Sequence, residues 1–391
     1  MSEGGGHGRP PSLFELPRVY LRISLLGFGG PNAHLALMLD EVVERRRWIT
    51  REHFLHLVGI TNLLPGPNSS EVAIHVGYTQ RGWRGALVTG LAFVVPTFFI
   101  VLGLSWLYFR LGALPGAADV LWGIEPAVLA VIVWAAVRLG RTAVRDGLTA
   151  GLAVLGWVVG WTAGGWEVAA MLAGALATWS RWRMRSGDDA PPTIGEPPPP
   201  RRLPAALVLL PAAGASLGSL ATVFFTHLWI GSVLFGGGYA LVALLQPYAV
   251  ARYHWLTAAQ FLDGVALTQG IPGPISTLTA FVGYAAAGVP GAVLATTGLY
   301  LPSFVAVLWV APHMKRLRET PALKAALDGV SAVVTGAIVG VAAGLFRAAV
   351  PDAAAMALFV VALLVLARLG LAAGWVMLGG SVAGVVRMAV G

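Results

Sequence analysis

The residues of this chain best equipped for chemistry cluster at two short interruptions of apolar sequence. Residues 63–70 read LLPGPNSS and residues 271–278 read IPGPISTL. Pro65, Gly66 and Pro67 break the first stretch; Pro272, Gly273 and Pro274 break the second. A helix broken at membrane depth strands backbone N–H groups, which is tolerated only where they line a cavity or bind something. Asn68, Ser69 and Ser70 follow the first break, and Ser276 and Thr277 follow the second. These residue types start helices well. A half-helix N-terminus near the bilayer midplane carries partial positive charge, and with its hydroxyls it is suited to an anion. The competing reading is structural: prolines that only shape a tight loop.

Other polar positions gather around these breaks. Asn62 and Gln269 precede them at matching places and are expected to face the same cavity. The clusters LGFGGPN (26–32), with Gly29 and Gly30, and LFGGGYA (234–240), with Gly236 and Gly237, sit inside apolar stretches. Glycine there allows close backbone approach or local unwinding, and plain helix packing accounts for it equally well. Glu71 follows the first break, and His75 lies one turn on along the same face. Ionisable groups inside apolar spans are functional candidates by default, so Glu71, His75 and also His34 are candidates for carrying a coupled proton. Local hydrogen bonding is the alternative. Glu125, beside Pro126, reads as a cap or interface residue. The chain has no cysteine and no HExxH. No catalytic residue, metal or cofactor is therefore expected.

The elements that position these groups follow from composition and repetition. Of 391 residues, 57% are hydrophobic and 11% charged, against about 25% charged in an average soluble domain. That is the composition of an all-α integral membrane protein. The net charge of +8 comes from arginines in short loops. It points to the bilayer surface and not to nucleic acid. The N-terminal residues MSEGGGHGRPPSLFELP lack the pattern of a cleavable signal.

Residues recur at a spacing of 207, then 206. Phe28, Trp48, Thr50 and Phe54 align with Phe235, Trp255, Thr257 and Phe261; Gly82, Gly85, Pro96 and Arg141 align with Gly288, Gly291, Pro302 and Arg347. The chain thus divides into homologous repeats at 12–180 and 205–391 around a proline- and arginine-rich linker at 181–204. The first half offers apolar spans near 18–39, 84–109, 119–138, 147–163 and 166–180. Residues 53–81, broken at the PGP, have arms too short to cross alone. They read as a re-entrant hairpin, or else as one proline-kinked helix. Five crossings plus a hairpin would send the second half in upside down. The basic residues agree. Arg45, Arg46, Arg47 and Arg51 in loop 40–52 face only Arg252 in loop 247–258, while Arg110 faces Lys315, Arg316, Arg318 and Lys324. Such exchange is what an inverted repeat requires of the positive-inside rule. Loops 40–52, 138–146, 181–202 and 312–324 come out cytoplasmic and both termini extracytoplasmic, unless 203–219 adds a crossing.

At FGGP (28–31), RRRWIT (45–50), LLPGPNSSEVAIHVGY (63–78), RGWRGALV (81–88) and FVVPTFF (93–99) the sequence resembles the chromate ion transporter family in its two-domain form. The resemblance returns in FGGGYA (235–240), HWLTAAQFLDGVALTQGIPGP (254–274), FVGYAAAGVPGAV (281–293) and LPSF (301–304). It implies export of chromate across the cytoplasmic inner membrane, driven by the electrochemical gradient, with chromate resistance as the outcome. Gln246 and Pro247 stand where the family tends to be acidic. Sulfate is the look-alike substrate, since both are tetrahedral dianions. Protons are candidate coupling partners, and a homodimer is compatible with the sequence. A passive anion channel, or a membrane enzyme acting on phosphate-containing lipid, are the rival readings.

Overall fold

The computed structural model describes residues 9, 11–28, 30–111, 117–162, 165–186, 218–311 and 320–390. Among them are helices and no β-strand. The first half holds α1 (Glu15–Leu26), α2 (Pro31–Met38) running on into a π-helical segment (Leu39–Arg45), α3 (Arg51–Thr61), α4 (Asn68–Leu111), α5 (Ala117–Ala143), α6 (Gly147–Thr162) and α7 (Glu167–Ser186). The second holds α8 (Ser219–Val233), α9 (Gly238–Gln246) with a π-helical segment (Pro247–Arg252), α10 (Ala258–Gly270), α11 (Leu278–Val310), α12 (Pro321–Ala349), α13 (Ala353–Leu369) and α14 (Ala373–Val390). Asn68–Arg110, Asp119–Ala143, Ile275–Trp309 and Pro321–Ala349 are long and apolar enough to cross a bilayer. The protein is a multi-pass membrane protein. Gly29, residues 187–204 of the linker, residues 203–217 of the stretch weighed as a crossing, and Lys315, Arg316 and Arg318 lie outside the described residues.

The repetition in sequence is a repetition in backbone. Gly30 and Gly237 open α2 and α9 at φ 83° and 82°. Arg47 and His254 both take φ near 50°, at 52° and 51°. Thr50 and Thr257 cap α3 and α10 by accepting the N–H of His53 and Gln260. Asp146 Oδ1 accepts the Thr149 N–H at 2.9 Å, and Asp352 Oδ1 accepts the Ala355 N–H at 2.8 Å.

The expected first span does not run through as one helix. Arg46 at the end of the π-helical segment pairs with Glu15 at the start of α1 at 2.6 Å, and Arg22 reaches Glu41 at 3.8 Å. Residues 15 and 46 therefore sit side by side, and α1 and α2 form a hairpin that turns at Gly27–Gly30. The φ of 83° at Gly30 is a conformation other residues adopt at a cost. The second half repeats the fold-back, with Trp229 bonded to Tyr248 at the positions of Arg22 and Glu41. Arg81 Nε donates to the Pro11 carbonyl at 2.7 Å. The N-terminal end of α1 thus lies on the face of loop 40–52, not opposite it as expected from the sequence.

The PGP segment is also a hairpin, and not a kinked crossing helix. Gln80 Nε2 donates to the Trp48 carbonyl at 3.0 Å, so the two arms return to one level. At Arg81 (φ −141°) and Gly82 (φ 60°) the backbone of α4 leaves the helical region and doubles back. Thr89 donates to the Ala73 carbonyl at 2.9 Å, whereas sixteen residues of straight helix would span about 24 Å. Ala287 and Gly288 make the same turn inside α11.

The halves interlock. α5 packs on α13 and α14 of the second half, and α12 packs on α6 and α7 of the first. Small residues allow the approach: Gly123 lies against the backbone of Gly380 and Gly384, and Gly329 against that of Gly174. Matching helices meet antiparallel. Arg145, after α5, reaches Asp328 early in α12 at 3.8 Å. Gly90 of α4 faces the Phe304 ring of α11, while Phe109, farther along α4, stands 5.4 Å from Phe281.

Candidate functional site

Hairpin tips from both halves meet inside the protein. The Gly66 N–H donates to the Leu234 carbonyl at 2.7 Å, and the Gly273 N–H donates to the Gly27 carbonyl at 3.0 Å. Each PGP break of one half thus joins the glycine cluster of the other. Gly66 (φ 150°) and Gly273 (φ 112°) hold a backbone that favours glycine, in places with no room for a side chain. A Cβ on Gly66 would strike the Ser303 hydroxyl and the Glu71 carboxylate; on Gly273 it would strike Thr97. These two amides were expected to be free for an anion. They are spent on stitching the halves together, because a buried N–H finds a carbonyl wherever one is in reach.

Around the second break the hydroxyls are engaged within the protein. Thr97 donates to the Pro272 carbonyl at 3.3 Å and shares a hydrogen bond of 3.1 Å with Ser24. The Ser276 hydroxyl bonds the Tyr300 hydroxyl at 2.6 Å, and Thr277 donates to the Pro274 carbonyl at 2.8 Å. The Ser276 and Thr277 hydroxyls are thus each engaged within the protein. Local turn geometry put acceptors closer than any ligand.

The first break differs. Asn68 accepts from Thr61 at 3.0 Å and donates to Asn62, which closes the loop on itself. The Pro67 carbonyl accepts the N–H groups of Ser70 and Glu71. Beneath this turn Ser69, Ser70, Glu71 and His75 are buried. Both carboxylate oxygens of Glu71, both ring nitrogens of His75 and the Ser303 hydroxyl have no hydrogen-bond partner. Unsatisfied buried polar atoms are rare and call for a ligand, water or proton. Pro65 flanks the turn, half-buried. His34 lies apart, packed on Gly27 and edge-on to Phe93 at 5.1 Å.

A small cleft at the junction is lined by Gly30, Tyr239, Thr268, Gln269, Ile271 and Gly273. Tyr239 donates to Gln269 Oε1 across 3.5 Å, and Gln269 Nε2 is buried without a partner. Asn62, its sequence counterpart, is exposed at the end of α3. Of the glycines named from the sequence, Gly30 is in the cleft, Gly237 opens α9, and Gly236 is exposed. Sequence reasoning missed Tyr239, Thr97 and Ser303. The last two follow Pro96 and Pro302 directly and stand 206 residues apart. The repeat register carried their signal.

Hairpins from two repeats that meet at a polar junction inside a multi-pass helical protein point to the membrane transport class. The chain belongs to the chromate transporter family, whose model matches residues 14–179 and again 221–385. It is 34% identical over 374 residues to the chromate transport protein of Cupriavidus metallidurans, covering 92% of this chain and 90% of that one. It is 30% identical to a probable chromate transport protein of Synechococcus elongatus, covering 92% and 91%. With the chromate transport protein of Pseudomonas aeruginosa it shares 33% identity, covering 84% and 80%. No solved structure matches it.

Proposed function

We propose that this protein is a secondary active transporter that exports chromate across the cytoplasmic membrane. The anion would sit where the hairpin tips converge, on the side of the first PGP break. The observation that carries this reading is the asymmetry of the two breaks: the Ser276 and Thr277 hydroxyls after the second are hydrogen-bonded within the protein, and the first holds Glu71, His75 and Ser303 unpartnered beside it. In this reading Ser303, the hydroxyls of Ser69 and Ser70, and the amides of Asn68 and Ser69 at the start of α4 supply the donors an oxyanion needs. Glu71 and His75 supply a proton site beside it.

The same proposal includes the inverted arrangement of the halves. With α1 and α2 a hairpin, the crossing helices of the first half are α4 beyond Gly82, α5, α6 and α7. That set is even, so the odd-count argument no longer holds. Support comes instead from the antiparallel contacts of α4 with α11 and of α5 with α12. It comes also from the basic excess that changes sides. Ser186 and Gly218 then lie on opposite faces, and the N-terminus lies in the cytoplasm with loop 40–52.

The test is flux in proteoliposomes holding the purified protein. Labelled chromate should move under an imposed gradient, and sulfate in excess should compete. A flux insensitive to chromate and carried by sulfate alone would replace the substrate. Flux without counterflow would make the protein a channel.

A further inference from the structure

A second ionisable cluster lies away from the breaks. α10 carries Asp263, 3% exposed. The Tyr108 hydroxyl, in the last turn of α4, donates to Asp263 Oδ2 at 2.6 Å. Oδ1 of Asp263 is buried without a hydrogen-bond partner. Glu125, 9% exposed, is carried by α5, which packs against α10. Both partners come from the first half of the chain and Asp263 from the second. The cluster therefore exists only because the halves interlock.

Among the described residues no ion pair reaches Asp263 or Glu125. α10 packs against α4, α5, α11, α12, α14 and the π-helical segment 247–252. On α4, Arg110 stacks over Trp106 at 5.3 Å. Arg141 of α5 stacks over Trp134, and Arg138 lies one turn before it, at the end of α5 remote from Glu125. Arg252 covers Tyr253, and Arg387 of α14 covers Trp122 and pairs with Asp119 and Asp352. On α12, Asp328 pairs with Arg145, while Lys324 and Arg347 occupy its two ends. Tyr284 of α11 stacks on Phe109. The hydrogen-bond partner of Asp263 is Tyr108. A buried carboxylate with one oxygen unpartnered, and a second carboxylate on the helix packed beside it, make a place where a proton can be held.

We propose that Asp263 and Glu125, with Tyr108 as hydrogen-bond donor, form a proton-binding site of this protein. It takes a proton from water onto a carboxylate and returns it, with no other bond changed. Tyr108 lies in the last turn of α4 and Asp263 in the middle of α10, so in the inverted arrangement proposed above the site lies toward the membrane side opposite loop 40–52. The Glu71–His75 pair belongs to the hairpin whose base is at Trp48 and Gln80. The protein then has one titratable station on each side of the hairpin tips. This last step rests on the transport reading above; the proton site itself does not.

The experiment is infrared difference spectroscopy of the full-length purified protein, titrated from acid to alkaline pH. Wild type should show a carboxylic-acid carbonyl band that titrates. The band should be lost in Asp263→Asn and in Glu125→Gln, and shifted in frequency in Tyr108→Phe, which keeps both carboxyls but removes the donor. Comparing two carboxylate variants guards against one that fails to fold. A band unchanged in both would overturn the proposal, as would a band that responds to sodium at fixed pH and not to protons. Chromate flux under imposed pH gradients is the second readout, and Asp263→Asn should lose its response to the gradient. If wild type carries no chromate, the transport reading fails, and the infrared result still decides the proton site.

Discussion

At the scale of single residues, the site turns on what each buried polar atom has to bond to. Glu71 has nothing, which makes it the first position to test for coupling. Glu71→Gln keeps the size and hydrogen-bonding capacity of the side chain and removes its titratable charge. Chromate flux in proteoliposomes should lose its dependence on the pH gradient in that variant; an unchanged dependence would exclude Glu71 and leave His75 or Asp263. Gly66 is a different kind of position. A side chain there meets Ser303 and Glu71 while forcing φ of 150°, at a strain on the order of 1–3 kcal/mol. Gly66→Val should reduce flux about tenfold or more, since each 1.4 kcal/mol is a factor of ten. Gly273→Val should do the same by displacing Thr97. Full flux in both variants would put the transport path elsewhere. Ser303→Ala, which removes the unpartnered hydroxyl without adding bulk, should weaken chromate competition while leaving the fold unstrained, as read by thermal unfolding.

At the scale of elements, caps and seams hold the hairpins in place. Asp146 and Asp352 start α6 and α13 at equivalent positions, outside the membrane-spanning segments. Hydrogen bonds from the backbone of Thr149 and Ala355 hold their carboxyls below the usual carboxylate range. A lowered folded value means that ionisation favours the folded state. Each contribution is therefore present at neutral pH and disappears as pH falls through the lowered value. Asp352→Ala should lower the melting temperature at neutral pH, and the gap to wild type should close in acid. A gap that stays constant with pH would show the carboxyl charge to be irrelevant. The seams are steric. Gly329 faces the Gly174 backbone as Gly123 faces that of Gly380, so Gly329→Leu and Gly123→Leu should each destabilise the protein by prising one half's helix from the other's.

At the scale of the whole molecule, the prediction is topological. Reporters fused in loop 40–52 and loop 247–258 should report opposite sides of the membrane, with loop 40–52 in the cytoplasm. Reporters at Ser186 and Gly218 should also lie on opposite sides. Agreement of either pair on one side would remove the inverted arrangement. Because α5 packs on α13 and α14 and α12 on α6 and α7, neither half buries its long central helix alone. The first half expressed by itself should be unstable and recover on co-expression with the second, measured as folded protein in the membrane.

Sequence alone determined the membrane class, the repeat and the location of the breaks, because these depend on composition and on glycines and prolines at fixed spacing. Gly66 and Gly273, Gly82 and Gly288, and Asp146 and Asp352 were legible as pairs for that reason, and their backbones match. Hydropathy could not tell that α1 and α2 turn back. An apolar segment that crosses and one that folds in half have the same composition, and the ion pair of Glu15 with Arg46 that separates the two cases spans 31 residues. Nor could it tell which break keeps free groups. Whether a hydroxyl is available depends on the acceptor that tertiary packing sets beside it: Tyr300 for Ser276, and no partner for Ser303. The contact of Asp263 with Tyr108 lies 155 residues apart in the chain. Only the interlocking of the two halves brings those groups within hydrogen-bonding distance.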